Sequence, residues 1–186
     1  MSVWALIYPR PHYSDYPRMA RWLIHEAQWT TLSTNSADVS GVPFGETVSF
    51  SDGPRDNSTG IPFFYLMSLE PTGINIAKDN RASLSVAEKQ IPGQCSKVDA
   101  QSPICAKVTL RGRLVRVVDG QELDFARESL FSRHPEMESW PHNEEHDFEF
   151  FKLNLEHVFL LDTFGGPPYI SVSDYLGVDL NQGDQQ

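Results

Sequence analysis

The chain has 186 residues and a formal net charge of −10, from 25 acidic and 15 basic residues. At 40% hydrophobic and 11% aromatic, this length suits one compact domain with a self-sufficient core and excludes a disordered protein. The negative field repels a phosphate backbone, so no nucleic-acid partner is expected, and no apolar run approaches the ~18 residues of a membrane span.

Residues 1–15 are read as an N-terminal extension. Their apolar patch, Val3 to Tyr8, lacks the charged start, long apolar region and cleavage site of a signal peptide. Two readings follow: a cytosolic chain, or a mature secreted chain carrying an added initiator Met. "YPRMARWLIHEA" then places Tyr16, Met19, Ala20, Leu23, Ile24 and Ala27 on one helical stripe. Asp15 and Pro17 supply its start signals. "WTTLSTN" (29–35) reads as a strand, "SGVPFGE" as a break, and "TVSFSDG" as a second strand. "IPFFYLMSLE" reads as a strongly apolar third strand, "PTGINIAKDNR" as a short helix and "ASLSVAE" as a fourth strand.

In "AKVTLRGRLVRVV" the apolar parity runs through Ala106, Val108 and Leu110, then passes to Val115 and Val117 beyond Gly112. A flip of one residue predicts a β-bulge or bend at the glycine. "DGQELDFARESLF" predicts a helix with Asp119 and Glu122 as a capping box and Leu123, Ala126 and Leu130 as its buried stripe. "DFEFFKLNLEHVFLL" alternates again, with a phase shift between Phe150 and Phe151. The polar end, 177–186, is read as a flexible tail. Six or more strands with helices placed irregularly among them argue for a mostly antiparallel barrel, in one domain over 16–176, against a regular βαβ alternation. The run Phe63, Phe64, Tyr65 must be buried on both faces, which predicts a homodimer covering one of them.

Four patterns bear on chemistry. "HNEEH", His142 to His146, matches a zinc-peptidase pattern, but such sites need both histidines on one helix face. Pro141 and the strand at "DFEFF" leave no room for that helix, so a solvated loop and no metal are expected. Cys95 and Cys105 are spaced wrongly for a C-x-x-C pair and suit a disulfide, two unrelated buried thiols being the other reading. Asn57, in "NST" on a Gly/Pro/Asp-rich loop, is a glycosylation acceptor if the chain enters the secretory pathway. Lys107 and Arg111 share one strand face, read as solvated. No G-x-S-x-G elbow or phosphate-binding glycine loop is present.

In order along residues 16 to 176, "ARWLIHEAQWTTLST", "GVPFGETVSFSDG", "STGIPFFYLMSLEPT", "NRASLSVAE", "DAQSPICAKVTLRGRL", "LFSRHPEMESWP", "DFEFFKLNLEHVFLLDTFGGP" and "ISVSDYL" resemble the CREG family. These are secreted or endolysosomal glycoproteins first described as repressors of virally stimulated transcription. The resemblance implies the split β-barrel of FMN-binding proteins, mainly β with peripheral helices, related to pyridoxamine 5′-phosphate oxidase and homodimeric. It also implies an oxidising compartment for the cysteine pair around "SPIC". Enzymatic relatives bind FMN at the dimer interface, whereas CREG proteins are generally regarded as lacking flavin binding. The expectation is therefore a non-catalytic dimeric binding protein affecting growth and differentiation, captured by a cell-surface or lysosomal sorting receptor, with no cofactor. The alternative is an FMN-binding oxidoreductase or flavin carrier of the same fold. Ser49, Ser51, Ser83 and Ser85 are the expected hydroxyls of a vestigial FMN pocket, with Arg81 the nearest cation. Animal family members often carry further sequons in the second half of the chain. Here Asn154, in "NLEH", cannot be an acceptor.

Overall fold

In the computed structural model, residues 6, 8–140, 147–163 and 169–182 are described. Helix α1 (Tyr16–Glu26) starts where the Asp15 carboxylate accepts the Arg18 amide at 3.2 Å, with proline in its first turn. Its apolar stripe is fully buried at Met19, Ala20, Leu23 and Ile24, because it plugs the barrel formed by the strands. Those strands are β1 (Trp29–Asn35), β2 (Pro43–Ser49), β3 (Phe63–Met67), β4 (Arg81–Ala87), β5 (Lys107–Arg116), β6 (Phe148–Leu161) and β7 (Tyr169–Ile170). They form one antiparallel sheet in the order β2-β1-β4-β5-β6-β3, with β7 also on β6. The remaining helices are α2 (Pro71–Lys78), α3 (Gly120–Arg133) and α4 (Val172–Leu176), and a 3-10 turn, Pro135–Ser139, follows α3.

The interior is built by alternate residues of each strand, such as Leu32, Leu84, Val108, Leu110 and Leu153, packed on α1. A second apolar cluster lies on the opposite face of β3 and β6, where Phe63, Tyr65 and Phe150 meet Ala126 and Leu130 of α3 and Met137. The run Phe63–Tyr65 is therefore buried on both faces as expected, but the chain's own α3 supplies the second cover. The apolarity of that run gives no reason for a dimer.

Other sequence expectations are corrected in detail. β2 begins at Pro43, inside the stretch read as a break, since an edge strand tolerates proline at its first residue. In β5 there is no parity flip: Val108, Leu110, Gly112 and Leu114 are all buried. The bulge lies on the partner strand, where Arg111 pairs with His157 and Gly112 with Leu155, leaving Glu156 as the extra residue. The glycine is still required, because a Cβ on Gly112 would stand 1.9 Å from the Asn154 carbonyl oxygen. Likewise β6 has no phase shift at Phe150 and Phe151; one faces each cluster. Asp119 makes no side-chain cap bond at α3.

The tail is not loose over its described part. Leu180 is 6% exposed within the core cluster, and the Tyr8 hydroxyl donates to Asn181 at 2.8 Å. Leu180, with Val178 packed beside it, anchors the tail to the core. Ahead of α1, Trp22 Nε1 donates to the Tyr8 carbonyl and Arg10 pairs with Glu88, so this segment is seated as well. No helix among the described residues is long and apolar enough to cross a membrane.

Candidate functional site

Two concave sites and one rigid loop carry the polar chemistry. The first is a cavity of about 310 Å³ between the end of β2, the end of β3 and the 3-10 turn after α3. Its walls include Tyr65, Trp140 and Phe148, with Met67 and Met137 beside them. The Tyr65 and Phe148 rings stack with centroids 4.9 Å apart, and the Trp140 ring lies 5.2 Å from Phe148. β3 and β6 pair Met67 with Phe148 and Tyr65 with Phe150, which aligns these rings across strands. Two carboxylates, Glu46 and Glu70, line the cavity, and among the described residues no lysine, arginine or histidine does. The Thr72 hydroxyl donates to Glu46. Burial pushes the Tyr65 phenol up from its ordinary range, against the lowering effect of Arg127.

The second is a groove of about 340 Å³ on the outer face of the sheet. Register places Gly45, Ser33, Ser83, Arg111 and His157 in one row across β2, β1, β4, β5 and β6. Arg81 also lines it but is tied to Asp79, whose carboxyl that guanidinium holds well below the usual range. This groove is an open, hydroxyl-rich surface lined by Arg81 and Arg111 and by one carboxylate, Glu156.

The four serines expected to share one pocket are separated. Ser49 lines the aromatic cavity. Ser83 lines the outer groove, and Ser85, on the same face of β4, lies 2.9 Å from the Thr109 hydroxyl. Ser51 is buried, donating to the Gly53 carbonyl and accepting from the Gly53 amide within a tight turn. Sequence reasoning missed Arg111 as Ser83's neighbour and Glu46 as the partner of Glu70 at one cavity. Cross-strand pairing creates the first juxtaposition and the approach of the α2 start to β2 creates the second; no local pattern encodes either.

The loop 52–60 carries the sequon and is held from inside. Asp52 is fully buried and accepts from His25 Nδ1 at 2.7 Å, the Ser58 hydroxyl at 2.6 Å and the Gly60 amide at 3.0 Å. Arg21 Nη2 donates to the Ser58 carbonyl at 2.8 Å, and Tyr175 donates to the Gly60 carbonyl at 2.9 Å. Asn57 itself is exposed. Cys95 and Cys105 form a disulfide, their Cα atoms 5.7 Å apart. They approach Glu88 closely, but the bond removes both thiolates from metal binding. His142 and His146 lie outside the described residues.

Comparison with known proteins decides the family. The profile described as CREG, beta-barrel matches residues 11–177. This chain belongs to the CREG family. It is 38% identical to Protein CREG1 of Homo sapiens over 176 residues, covering 92% of this chain and 78% of that one. It is 41% identical to Protein CREG2 of Mus musculus over 161 residues, covering 84% of this chain and 54% of that one. Among solved structures, a heme binding protein from Mycobacterium smegmatis has a similar fold, with TM-score 0.68 and 21% identity, covering 91% of this chain and 62% of that one. The split barrel inferred from the sequence is thus the fold of this CREG protein.

The split-barrel family implies FMN, and the residues of this CREG chain can be tested against it. A flavin needs an apolar slot for its ring system and cations or hydroxyls for its phosphate. The aromatic cavity offers the slot, but Glu46 and Glu70 repel a phosphate there. The outer groove offers Arg111 and Ser83, but it has no aromatic wall. Neither site of the single chain fits the whole group.

Proposed function

We propose that this CREG protein is a secreted or endolysosomal glycoprotein that acts as a dimer by binding partners, without catalysing a reaction, and so affects growth and differentiation. The observation that carries the reading is the lining of its aromatic cavity, whose charged members among the described residues are the carboxylates Glu46 and Glu70, the wrong charge for a phosphate-bearing cofactor. The compartment is supported by the disulfide and by an exposed Asn57 on a loop anchored to α1. Dimerisation is supported by the outer sheet face, where Trp29 and Phe159 stay 45% and 40% exposed around the hydroxyl strip Thr31, Ser85 and Thr109. An exposed apolar and hydroxyl face of this kind suits a twofold contact with its own copy.

Sedimentation of the native protein, with glycan mapping at Asn57, tests this reading. A monomer with a bare Asn57 and two free thiols would remove it. The second reading, an FMN-binding oxidoreductase or flavin carrier, draws on the Ser83–Arg111–His157 row, which offers a phosphate hydroxyl and positive charge. Absorbance and fluorescence titration with FMN separates the two: flavin quenching supports the carrier, and an unchanged flavin spectrum eliminates it.

A further inference from the structure

We propose that the aromatic cavity is a binding site for a small organic cation, an alkylammonium or arylammonium group. The proposal rests on the reading that this cavity rejects a flavin phosphate.

Size, charge and wall chemistry converge on that class. The cavity, at about 310 Å³, falls at the lower end of small-molecule sites, roughly 300–1,000 Å³. Among the described residues its charged lining is Glu46 and Glu70, which favours a cation over an anion. Tyr65, Trp140 and Phe148 supply π-electron surfaces, and Met67 and Met137 supply soft, polarisable ones. A hard metal ion needs six or more oxygen ligands, which two carboxylates among aromatic rings and thioethers cannot provide. A quaternary ammonium, its charge covered by alkyl groups, loses less on leaving water than a bare ammonium and gains from ring faces and carboxylates together.

The two glutamates are placed for different tasks. Glu46 is held by the Thr72 hydroxyl, which fixes one oxygen on the α2 side. Glu70 is the N-cap residue of α2, yet its side chain makes no capping bond to the helix amides. Glutamate is not among the side chains that favour that cap, so its carboxylate is left to other partners. Here it stays at the cavity mouth, exposed and available to a cation.

Calorimetric titration with choline and with its uncharged isostere 3,3-dimethylbutan-1-ol tests the site. Choline should bind saturably, about tenfold more tightly than the isostere, the scale of a cation–aromatic contact. Glu70→Gln should weaken choline several-fold and leave the isostere unchanged, and Trp140→Leu should weaken both. Glu70 is exposed, so its variant keeps the test intact if Trp140→Leu fails to fold. Equal binding of choline and the alcohol, or no choline binding at millimolar concentration, overturns the proposal. FMN added in parallel separates the underlying reading. Flavin quenching that choline reverses overturns both, whereas silence from FMN and choline together overturns the cation site only.

Discussion

His25 Nδ1 and Asp52 Oδ1 stand 2.7 Å apart with neither side chain exposed, joining α1 to the sequon loop through a buried pair. His25 Nε2 also donates to the Arg55 carbonyl at 3.0 Å. Both ring nitrogens thus face acceptors. Burial pushes the Asp52 carboxyl up, but His25 and the Ser58 hydroxyl outweigh it and hold it below its ordinary value. A lowered carboxyl stabilises the fold above its unfolded pKa of about 3.9, and that contribution is lost as pH falls through the lower folded value. Asp52→Asn should cost about 1–3 kcal/mol in urea unfolding at neutral pH, because it disrupts the buried acceptor that His25, Ser58 and Gly60 share. It should also flatten the acid limb of the stability curve. Unchanged stability would show that the pair does not hold the loop.

His134 predicts a second pH effect, in a different window. It is buried at the end of α3, where its Nε2 donates to the Phe50 carbonyl at 3.0 Å. Burial lowers its pKa, with the Phe50 carbonyl opposing. The fold therefore favours neutral imidazole: that stability is complete above about pH 6.5 and declines as pH falls through the lower folded value. His134→Gln keeps a donor for Phe50 but does not titrate. Its melting temperature should vary less than the parent's between neutral and mildly acidic pH, and parallel curves would remove His134 as the cause.

Gly112 sits where β5 passes the bulge of β6. A methyl group there would stand 1.9 Å from the Asn154 carbonyl oxygen, which is backbone and cannot swing away. Gly112→Ala should destabilise by about 1–3 kcal/mol, read as a lower urea midpoint with the slope unchanged. Gly93→Ala, with open space but a φ of +83°, reports backbone strain alone. Equal losses in the two variants would rule out the clash as the cause.

The disulfide closes the loop from Cys95 to Cys105, which other contacts also hold. Lys89 donates to the Cys95, Ser96 and Val98 carbonyls, and Lys107 to those of Ala100, Ser102 and Cys105. Replacing both cysteines by serine should cost about 2–3 kcal/mol through the freer unfolded chain. The protein should stay folded at room temperature by circular dichroism. Complete unfolding would mean that the lysine contacts cannot maintain the loop alone.

Much of the fold was legible along the chain because it rests on local periodicity. The stripe from Tyr16 to Ala27 predicts α1 to within a residue, and "WTTLSTN" coincides with β1. The order of motifs carries the family. Periodicity misleads where both faces of a strand are covered, as at Phe150 and Phe151, since alternation then has no polar face to mark it. It also misplaces the bulge, because the extra residue, Glu156, lies on the partner strand rather than beside the conspicuous glycine.

The sites depend on register, which alternation alone does not specify. By itself the sequence determined the stripe of α1 that turns inward, the barrel class and the polar loop that exposes the sequon. Only the tertiary structure decided that Ser83 stands beside Arg111, that Ser49 and Ser51 belong to different surroundings, and that Glu46 and Glu70 share one aromatic cavity. The physical reason is that side-chain period assigns a face, whereas hydrogen-bond register and helix packing choose the neighbours on that face.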